Sequence, residues 1–552
     1  MTHPGEQHYP PGVTWDAPIA RGTLPGLLAD SVQKFGDRTA IEFRDQPISF
    51  NDLQARVDII AAALMRAGYG RGSTIGIFLG NTPDHPVHFF GGLKAGARLV
   101  HLSPLDGEIA LSHKLKDSGA RVLVTSNLAA LLPMALKFLD KGLLDRLIVC
   151  EDDDWGAVNN PQLPLPENPA IVTFRNFTAG VTPPAQWPEI SPDDVALLQY
   201  TGGTTGLPKG VMLTHGNLYA GQLSANMAAR RPDEAVGLNM APMFHVGGAG
   251  LTLQLMLRLC TQVIIPAFDE IQVLEAIQDE GASETFMVPT MLKRLIEHPR
   301  FAEFDTSSLR LVLYGAAPID DTLLMQSIEK LPRASFCQLY GMTELSPVVT
   351  VLPAWCHHPD EPAARRRSAG RPVPIAELRI VDAEGRPVPH GTVGEIAVRG
   401  PMVMAGYWNQ PEQTAEVLRD GWMHTGDGGV MDDDGFVYVV DRLKDMIVTG
   451  GENVYSAEVE NAITQLPQVS MCAVIGVPDE RWGERVHAVV VLRAGQALDE
   501  AALLAHCKAQ IAGYKCPRSV EFKAEIPLSP AGKMLKYKLR EPYWAGQARR
   551  VA

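Results

Sequence analysis

Cysteine is scarce in this 552-residue chain: there are seven, an odd number, and no two stand in a C-x-x-C spacing. That argues against a disulfide framework or a zinc ribbon and fits a reduced, cytoplasmic compartment. Long apolar runs are missing too. The most apolar stretch, "LTLQLMLRLCTQVIIPAF", is broken by Gln254, Arg258 and Gln262, so no segment is expected to span a bilayer. The N-terminus "MTHPGEQHYPPGVTWD" has neither a basic start nor an apolar core and does not read as a signal peptide. Positive charge is in deficit, with 49 Lys and Arg against 63 Asp and Glu and a net charge of -14. Nonspecific nucleic-acid binding, which rests on neutralising phosphates, is therefore disfavoured. Repeats and low-complexity tracts are absent. With 46% hydrophobic and 20% charged residues, the profile is globular.

What is present is a loop dense in glycine and threonine, "LLQYTGGTTGLPKGVMLTHGNL", at 197–218. The apolar run before it reads as a buried strand, and the residues after Thr214 read as a helix, giving the order strand, loop, connection, helix. Gly202, Gly203 and Gly206 permit backbone angles that turn N–H groups towards an anion. Thr201, Thr204 and Thr205 add hydroxyls, and Lys209 adds a positive charge, so the natural guest is a polyphosphate. The spacing fails the P-loop template, because Pro208 precedes Lys209 and Gly210 follows it.

Around this loop the chain alternates helices with short apolar strands over 21–150 and again over 195–350, which predicts largely parallel sheets. A Pro-rich acidic stretch at 151–190 reads as a surface connection. Residues 370–440 read as strands between Gly turns, an antiparallel or barrel-like unit. The tail is a small α+β unit, with its boundary near 442–445.

Four further stretches carry polar groups at strand ends. "LYGAAP" (313–318) is a small-residue turn suited to a flat ring. "QLYGMTE" (338–344) offers an aromatic, a hydroxyl and a carboxylate. "GWMHTGD" (421–427) places Asp427 after a strand, where a carboxylate can accept both hydrogen bonds of a ribose diol. "PLSPAGKMLK" (527–536) is a glycine turn able to deliver Lys533. Each alone has an ordinary alternative: Tyr340 as a core aromatic, Glu344 as a helix cap, Asp427 as a hairpin closer, Lys533 as a solvated lysine. Two other clusters read as decoys. "CHH" (356–358) has adjacent ligands and no partner pair, and "RRR" (365–367) reads as a solvated loop.

Taken in order, YTGGTTGLPKG, PMFHVGG, YGMTE, HTGD, DRLKDMIVTGGENV and PAGK resemble the adenylate-forming superfamily of acyl-CoA synthetases, luciferases and adenylation domains, over nearly the whole chain. The fatty-acyl branch of CoA ligases is most similar. The resemblance implies an α/β fold, with a large N-terminal domain (1–441) of two α/β subdomains plus a β-barrel-like subdomain. A small mobile α+β C-terminal domain (442–552) would follow a hinge near Lys444. It implies ATP, Mg2+ and coenzyme A as cofactors and co-substrates, and a carboxylic acid, medium- or long-chain fatty, as substrate.

By motif, Thr201, Gly202, Gly203, Thr204, Thr205, Gly206 and Lys209 would cradle the β,γ-phosphates. Gly315, Ala316, Ala317, Gln338, Tyr340 and Gly341 would enclose adenine, with Thr343 beside them. Asp427 and Arg442 would hold the ribose, and Glu344 with Thr201 the magnesium. Lys533 would bridge the acid and the α-phosphate, and His245 would stand at the acyl-pocket entrance. Gly450 and Gly451 would line a pantetheine tunnel, reached after rotation about Lys444. The resemblance leaves room for a homodimer and for a lysine acetyltransferase acting on Lys533. An aryl or dicarboxylic acid stays open, since Arg258 and the 365–367 arginines have no assigned place, and so does loading of a carrier protein. A luciferase-like oxygenase lacks motif support, and a non-catalytic nucleotide-binding regulator conflicts with the presence of Lys533, Glu344 and Asp427. Tyr314 departs from relatives that have a small residue there.

Overall fold

The computed structural model describes residues 9, 12–19, 21–156, 160–201, 207–231, 234–258, 260–317, 319, 321–442, 445–450, 452–528 and 534–545. Four sheets organise them. In the first, strand β1 (Arg98–His101) is parallel to 74–77 on one side and to β2 (Val195–Thr201) on the other, and 122–126, 146–150 and 171–173 continue the parallel array. Helices cover both faces, so the strands are unbroken apolar runs: VLVTS at 122–126 is buried at every residue.

Beyond β2 the pattern changes. Residues 209–214, read from sequence as a connection, form strand β3 (Lys209–Thr214), antiparallel to β2 and paired on its far side with 406–407. Strands β2 and β3 are therefore antiparallel neighbours in sequence and in the sheet. The helix α1 (His215–Ala229) starts only after them, at a capping box between Thr214 and Asn217.

The second sheet is laid down by α2 (Val246–Leu257), β4 (Glu284–Met287), β5 (Leu311–Gly315) and β6 (Ser335–Tyr340) and their neighbours. Strands 236–239, 261–264, β4, β5 and β6 run parallel. The early hairpin 39–49 crosses over to this sheet, with 39–43 parallel to 261–264, so the two α/β units interlock. Helix α2 is hydrophobic on all sides and almost wholly buried, as expected of a core helix.

A third sheet is antiparallel throughout, as the Gly-punctuated stretch 370–440 predicts. Its strands include 377–381, 394–399, β7 (Trp422–Met431) and β8 (Val437–Arg442). The fourth belongs to the C-terminal unit, where 469–479 and 483–492 pair antiparallel, and helices α3 (Ser456–Thr464) and α4 (Lys536–Trp544) lie alongside. All seven cysteines are free and buried. Among the described residues no helix is long and apolar enough to cross a membrane.

Candidate active site

One large cleft, about 2790 Å³, opens at the carboxyl ends of the parallel strands and is closed on its far side by α3, α4 and the strand at 469–479 of the C-terminal unit. This is where open α/β sheets hold their ligands, because successive strands diverge there and leave a crevice.

Thr201 ends β2 and Lys209 begins β3, directly opposite each other in the antiparallel register, and both line the cleft. Residues Gly202, Gly203, Thr204, Thr205 and Gly206 lie outside the described residues. The Lys209 ammonium stands 5.0 Å from the Tyr407 ring centroid, and the Tyr407 hydroxyl donates to Glu344 Oε1 at 2.9 Å. Glu344 is buried, with its second oxygen accepting no hydrogen bond from a described residue. Burial, and then the Glu344 charge, push the Tyr407 phenol well up, so it remains a neutral donor.

Sequence reasoning missed Tyr407. Its glycine-aromatic "GYW" is a usable signal, but its partner lies 63 positions away.

A second corner is built on Asp427. Expected after a strand, it lies inside β7, which runs on because it pairs with both 394–399 and β8. The register puts Asp427 directly across from Arg442, whose Nε meets Asp427 Oδ1 at 2.7 Å, and the Tyr340 hydroxyl donates to Oδ2 at 2.7 Å. Burial, followed by the Asp427 charge, raises the Tyr340 phenol far above its usual range. For Arg442, burial is the largest influence and works against the charged form, but Asp427, Tyr340, Glu344 and Asp445 together outweigh it and raise the guanidinium.

Between these corners runs a wall of main chain. A Cβ on Gly341 would meet Pro347 O at 1.9 Å, and one on Gly315 would meet Leu339 O at 2.2 Å, although Gly315, expected at the adenine, is not itself among the lining residues. Ala316, Ala317, Gln338, Tyr340, Gly341 and Thr343 all line the cleft. Ala316 has φ of 65°, a backbone turn rarely taken by a residue with a side chain. Tyr314 points away from the cleft into the core, where its hydroxyl meets His357 Nε2 at 2.9 Å.

His245 is the N-cap of α2, its Nδ1 accepting from Gly247 N at 3.3 Å, and it lines the cleft beside His101 and Gln199. His101, also missed from sequence, is bound through Nδ1 to Gln199 Oε1 at 3.1 Å and driven by burial to about 4, so it is neutral.

Lys444, Gly451 and Lys533 lie outside the described residues. Leu528 and Met534, which flank the Lys533 turn, form an antiparallel bridge, and both line the cleft. Gly450 is not among the lining residues. Its N–H donates to Trp482 O at 2.8 Å, and a Cβ there would strike the Trp482 ring at 2.7 Å. A further network that sequence did not announce joins Asp441, Ser456, Glu460 and Lys536. Asp441 accepts from the Ser456 hydroxyl at 2.6 Å, and the partly buried Lys536 pairs with Glu460 at 2.7 Å and also bonds Ser456.

The decoys resolve. His357 of "CHH" serves Tyr314, and Cys356 is buried. The arginines are not a solvated run: Arg366 is buried against Asp321, Arg365 pairs with Glu361 and Asp434, and only Arg367 is exposed. Asp434 and Asp321 lie too far along the chain to be seen locally, although Glu361 stands only four residues from Arg365. Arg258 is engaged by Glu284 at 2.9 Å and does not line the cleft. Asp84, His88 and Cys150 bring their donor atoms within 4.8 Å of one another. The thiol, however, sits equally near both His88 nitrogens, at 4.0 and 3.9 Å, off the line of either lone pair, so the trio reads as a buried polar cluster.

An antiparallel strand pair at a strand-end crevice, a carboxylate–arginine–tyrosine corner and a small capping unit together define a nucleotide-binding enzyme of the adenylate-forming type. Family models match accordingly: "AMP-binding enzyme" over 28–408 and "AMP-binding enzyme C-terminal domain" over 458–533. Feruloyl-CoA synthase of Amycolatopsis sp is 40% identical over 514 residues, 92% of this chain and 96% of that one. The long-chain-fatty-acid–CoA ligase of Bacillus subtilis is 35% identical over 555 residues, 97% of each chain. ATP-bound MatB from Rhodopseudomonas palustris superposes with a TM-score of 0.83 at 28% identity, covering 94% of this chain and 99% of that one. The chain belongs to the AMP-binding enzyme family.

Proposed function

We propose that the protein joins a carboxylic acid to coenzyme A, consuming ATP through an acyl-AMP intermediate and releasing pyrophosphate and then AMP. The observation that carries this reading is the Tyr340–Asp427–Arg442 corner facing, across one cleft, the buried Glu344 and Lys209. The corner suits a ribose, because each Asp427 oxygen keeps a lone pair for a hydroxyl after accepting its one protein donor. Ala316, Ala317, Gln338 and Gly341 would take adenine against the main-chain wall. Thr201 to Gly206 and Lys209 would hold the β,γ-phosphates.

Magnesium fits the donor set. Glu344 offers a free carboxylate oxygen and Thr201 a hydroxyl, hard ligands of the type this ion takes. When bound, it would neutralise charge on the leaving pyrophosphate. Lys209 would add to that neutralisation. Lys533 would lie between acid and α-phosphate, stabilising charge as the acid attacks.

The split at 441/442 and the hinge at Lys444 belong to this reading. Leu528 and Met534 face the cleft while Gly450 does not, which suits the orientation for adenylation, and Gly450 and Gly451 would reach the cleft after rotation. A cytoplasmic site of action also belongs to it, on the strength of seven buried thiols.

The test is direct. With ATP and magnesium, a responsive acid should drive pyrophosphate release, and CoA should be required for AMP and thioester to accumulate. Pyrophosphate release with thioester formed only on a carrier protein would overturn the CoA assignment. Asp427→Ala should raise the KM for ATP by about tenfold or more, the cost of losing charge-assisted bonds to the ribose. It should also erase any preference for ATP over 2′-deoxy-ATP. A variant that keeps that preference would remove Asp427 from the ribose site.

A further inference from the structure

The part of the cleft walled by α2 forms a channel that takes in one buried amide. Val246, Gly247, Gly250, Leu251 and Gln254 line it, spaced three and four apart on a single helix face. Gly247 and Gly250 leave main chain in that wall, and Phe286, Leu313, Leu339 and Val348 line the same cleft from the second sheet and the segment after it. From His245 at the helix start to Gln254 the path is roughly 13 Å, at about 1.5 Å per helical residue.

Gln254 is buried and held from behind. Its Nε2 donates to Gln222 Oε1 at 2.7 Å, and its Oε1 accepts from Arg231 Nη1 at 2.6 Å. Arg231 is clamped to Glu284, which also takes Arg258, and none of these three lines the cleft. The amide is thus locked with its oxygen turned to Arg231. One of its two N–H groups makes no bond to any described residue.

The geometry points to Gln254 as the residue that selects the acid, in favour of a monocarboxylate ending in a neutral oxygen acceptor about seven to ten bonds from the carboxyl carbon. This rests on the ligase reading above and names the substrate class for it. Three observations converge. The channel's length suits an aryl-propenoic acid or a chain of about ten atoms. The amide presents one donor, which a phenol or ether oxygen satisfies, whereas a second carboxylate would be left with most of its lone pairs unpaired. Past Gln254 lies a buried ion network, so a longer alkyl tail would have to break it. The relatives' names span both aryl and fatty acids and do not decide between these classes.

The experiment compares 4-hydroxycinnamate, cinnamate, 10-hydroxydecanoate, decanoate, palmitate and butanoate in the ATP- and CoA-dependent assay. The wild type should prefer each hydroxylated acid over its parent by about tenfold in kcat/KM, the worth of one well-made hydrogen bond. Palmitate should be poor. The better of the two hydroxylated acids tells whether the ring or the chain is the natural body.

Gln254→Leu should abolish the hydroxyl preference, read as the ratio of kcat/KM for each hydroxylated acid to that for its parent, even where the loss of its bonds to Arg231 and Gln222 lowers the rate with every acid. A merely structural Gln254 would instead depress all acids together and leave that ratio unchanged. If palmitate is the best substrate, or if Gln254→Leu keeps the hydroxyl preference, this inference fails and the ligase reading stands. If no acid yields acyl-AMP or thioester, the ligase reading falls and takes the inference with it.

Discussion

Replacing Lys533 with alanine is expected to slow acyl-AMP formation by about 10² to 10³, while acyl transfer from preformed acyl-AMP to CoA stays nearly intact. The acid and the α-phosphate are both anionic, and one positioned cation between them is worth about 3–4 kcal/mol in the transition state. Lys533 is suited to that position because Leu528 and Met534, on either side of it in sequence, bridge to each other and line the cleft. The nearby Lys536 cannot substitute, being committed to Glu460 and Ser456. The measurement is a pair of half-reactions: pyrophosphate exchange with acid and ATP, and thioester formation from synthetic acyl-AMP and CoA. Equal collapse of both would reject the role. Acetylation of Lys533 removes the same charge and should produce the same one-sided defect.

Acid should unfold this protein well before it protonates most carboxylates. Four histidines, His88, His101, His215 and His357, are each driven by burial to about 4, against about 6.5 in an unfolded chain. The unfolded state therefore binds their protons first. Stability from these groups is complete above pH 6.5 and is lost as pH falls towards 4, by about 2 kcal/mol for each at pH 5. His85 is lowered further by the same cause. Asp84 acts in the opposite sense. Burial raises it to about 7, so the native state keeps a proton that the unfolded chain gives up above pH 4, and acid favours the fold at that one site.

The histidines outweigh it, leaving a net loss on the order of 5 kcal/mol between pH 8 and pH 5, comparable to the whole stability of many domains. Thermal unfolding at fixed ionic strength across that range checks this. A flat midpoint from pH 7 to pH 5 would contradict the burial of these rings as neutral groups.

What could be read from the sequence follows a physical line. Tyr340, Asp427 and Glu344 stand out from their local sequence, and the structure brings them to one cleft, Tyr340 at the end of β6, Glu344 just after it and Asp427 within β7. The alternation of helix and strand gave the parallel sheets, because period and run length are local properties. Pairings between distant segments were not legible. Strand β3 was read as a connection, since its partner at 406–407 lies nearly two hundred residues away. Arg365 and Arg366 were read as solvated, because their partners Asp434 and Asp321 come from other segments. The placement of 39–49 in the second sheet has the same origin. Tyr407 shows the limit at the site itself: a glycine-aromatic pair is visible, but that its hydroxyl meets Glu344 is a fact of the fold alone.

The close approach of main chain to main chain at Gly315 and Gly341 has a bearing on how such an enzyme can change. At these two positions any side chain would collide with a carbonyl oxygen that belongs to the sheet or to the turn after it, and neither can step aside as a rotamer can. That wall is closed to mutational drift. The helix face opposite differs: a Cβ at Gly247 would meet only His245 Nδ1, at 3.6 Å, and one at Gly250 would meet the Gln222 amide at 3.3 Å, contacts that side chains can relax. Substitution at Gly247 or Gly250 is therefore a gentler change than one at Gly315 or Gly341, whereas Gly248 on the same helix is closed in by the carbonyls of Ala241 and Pro242.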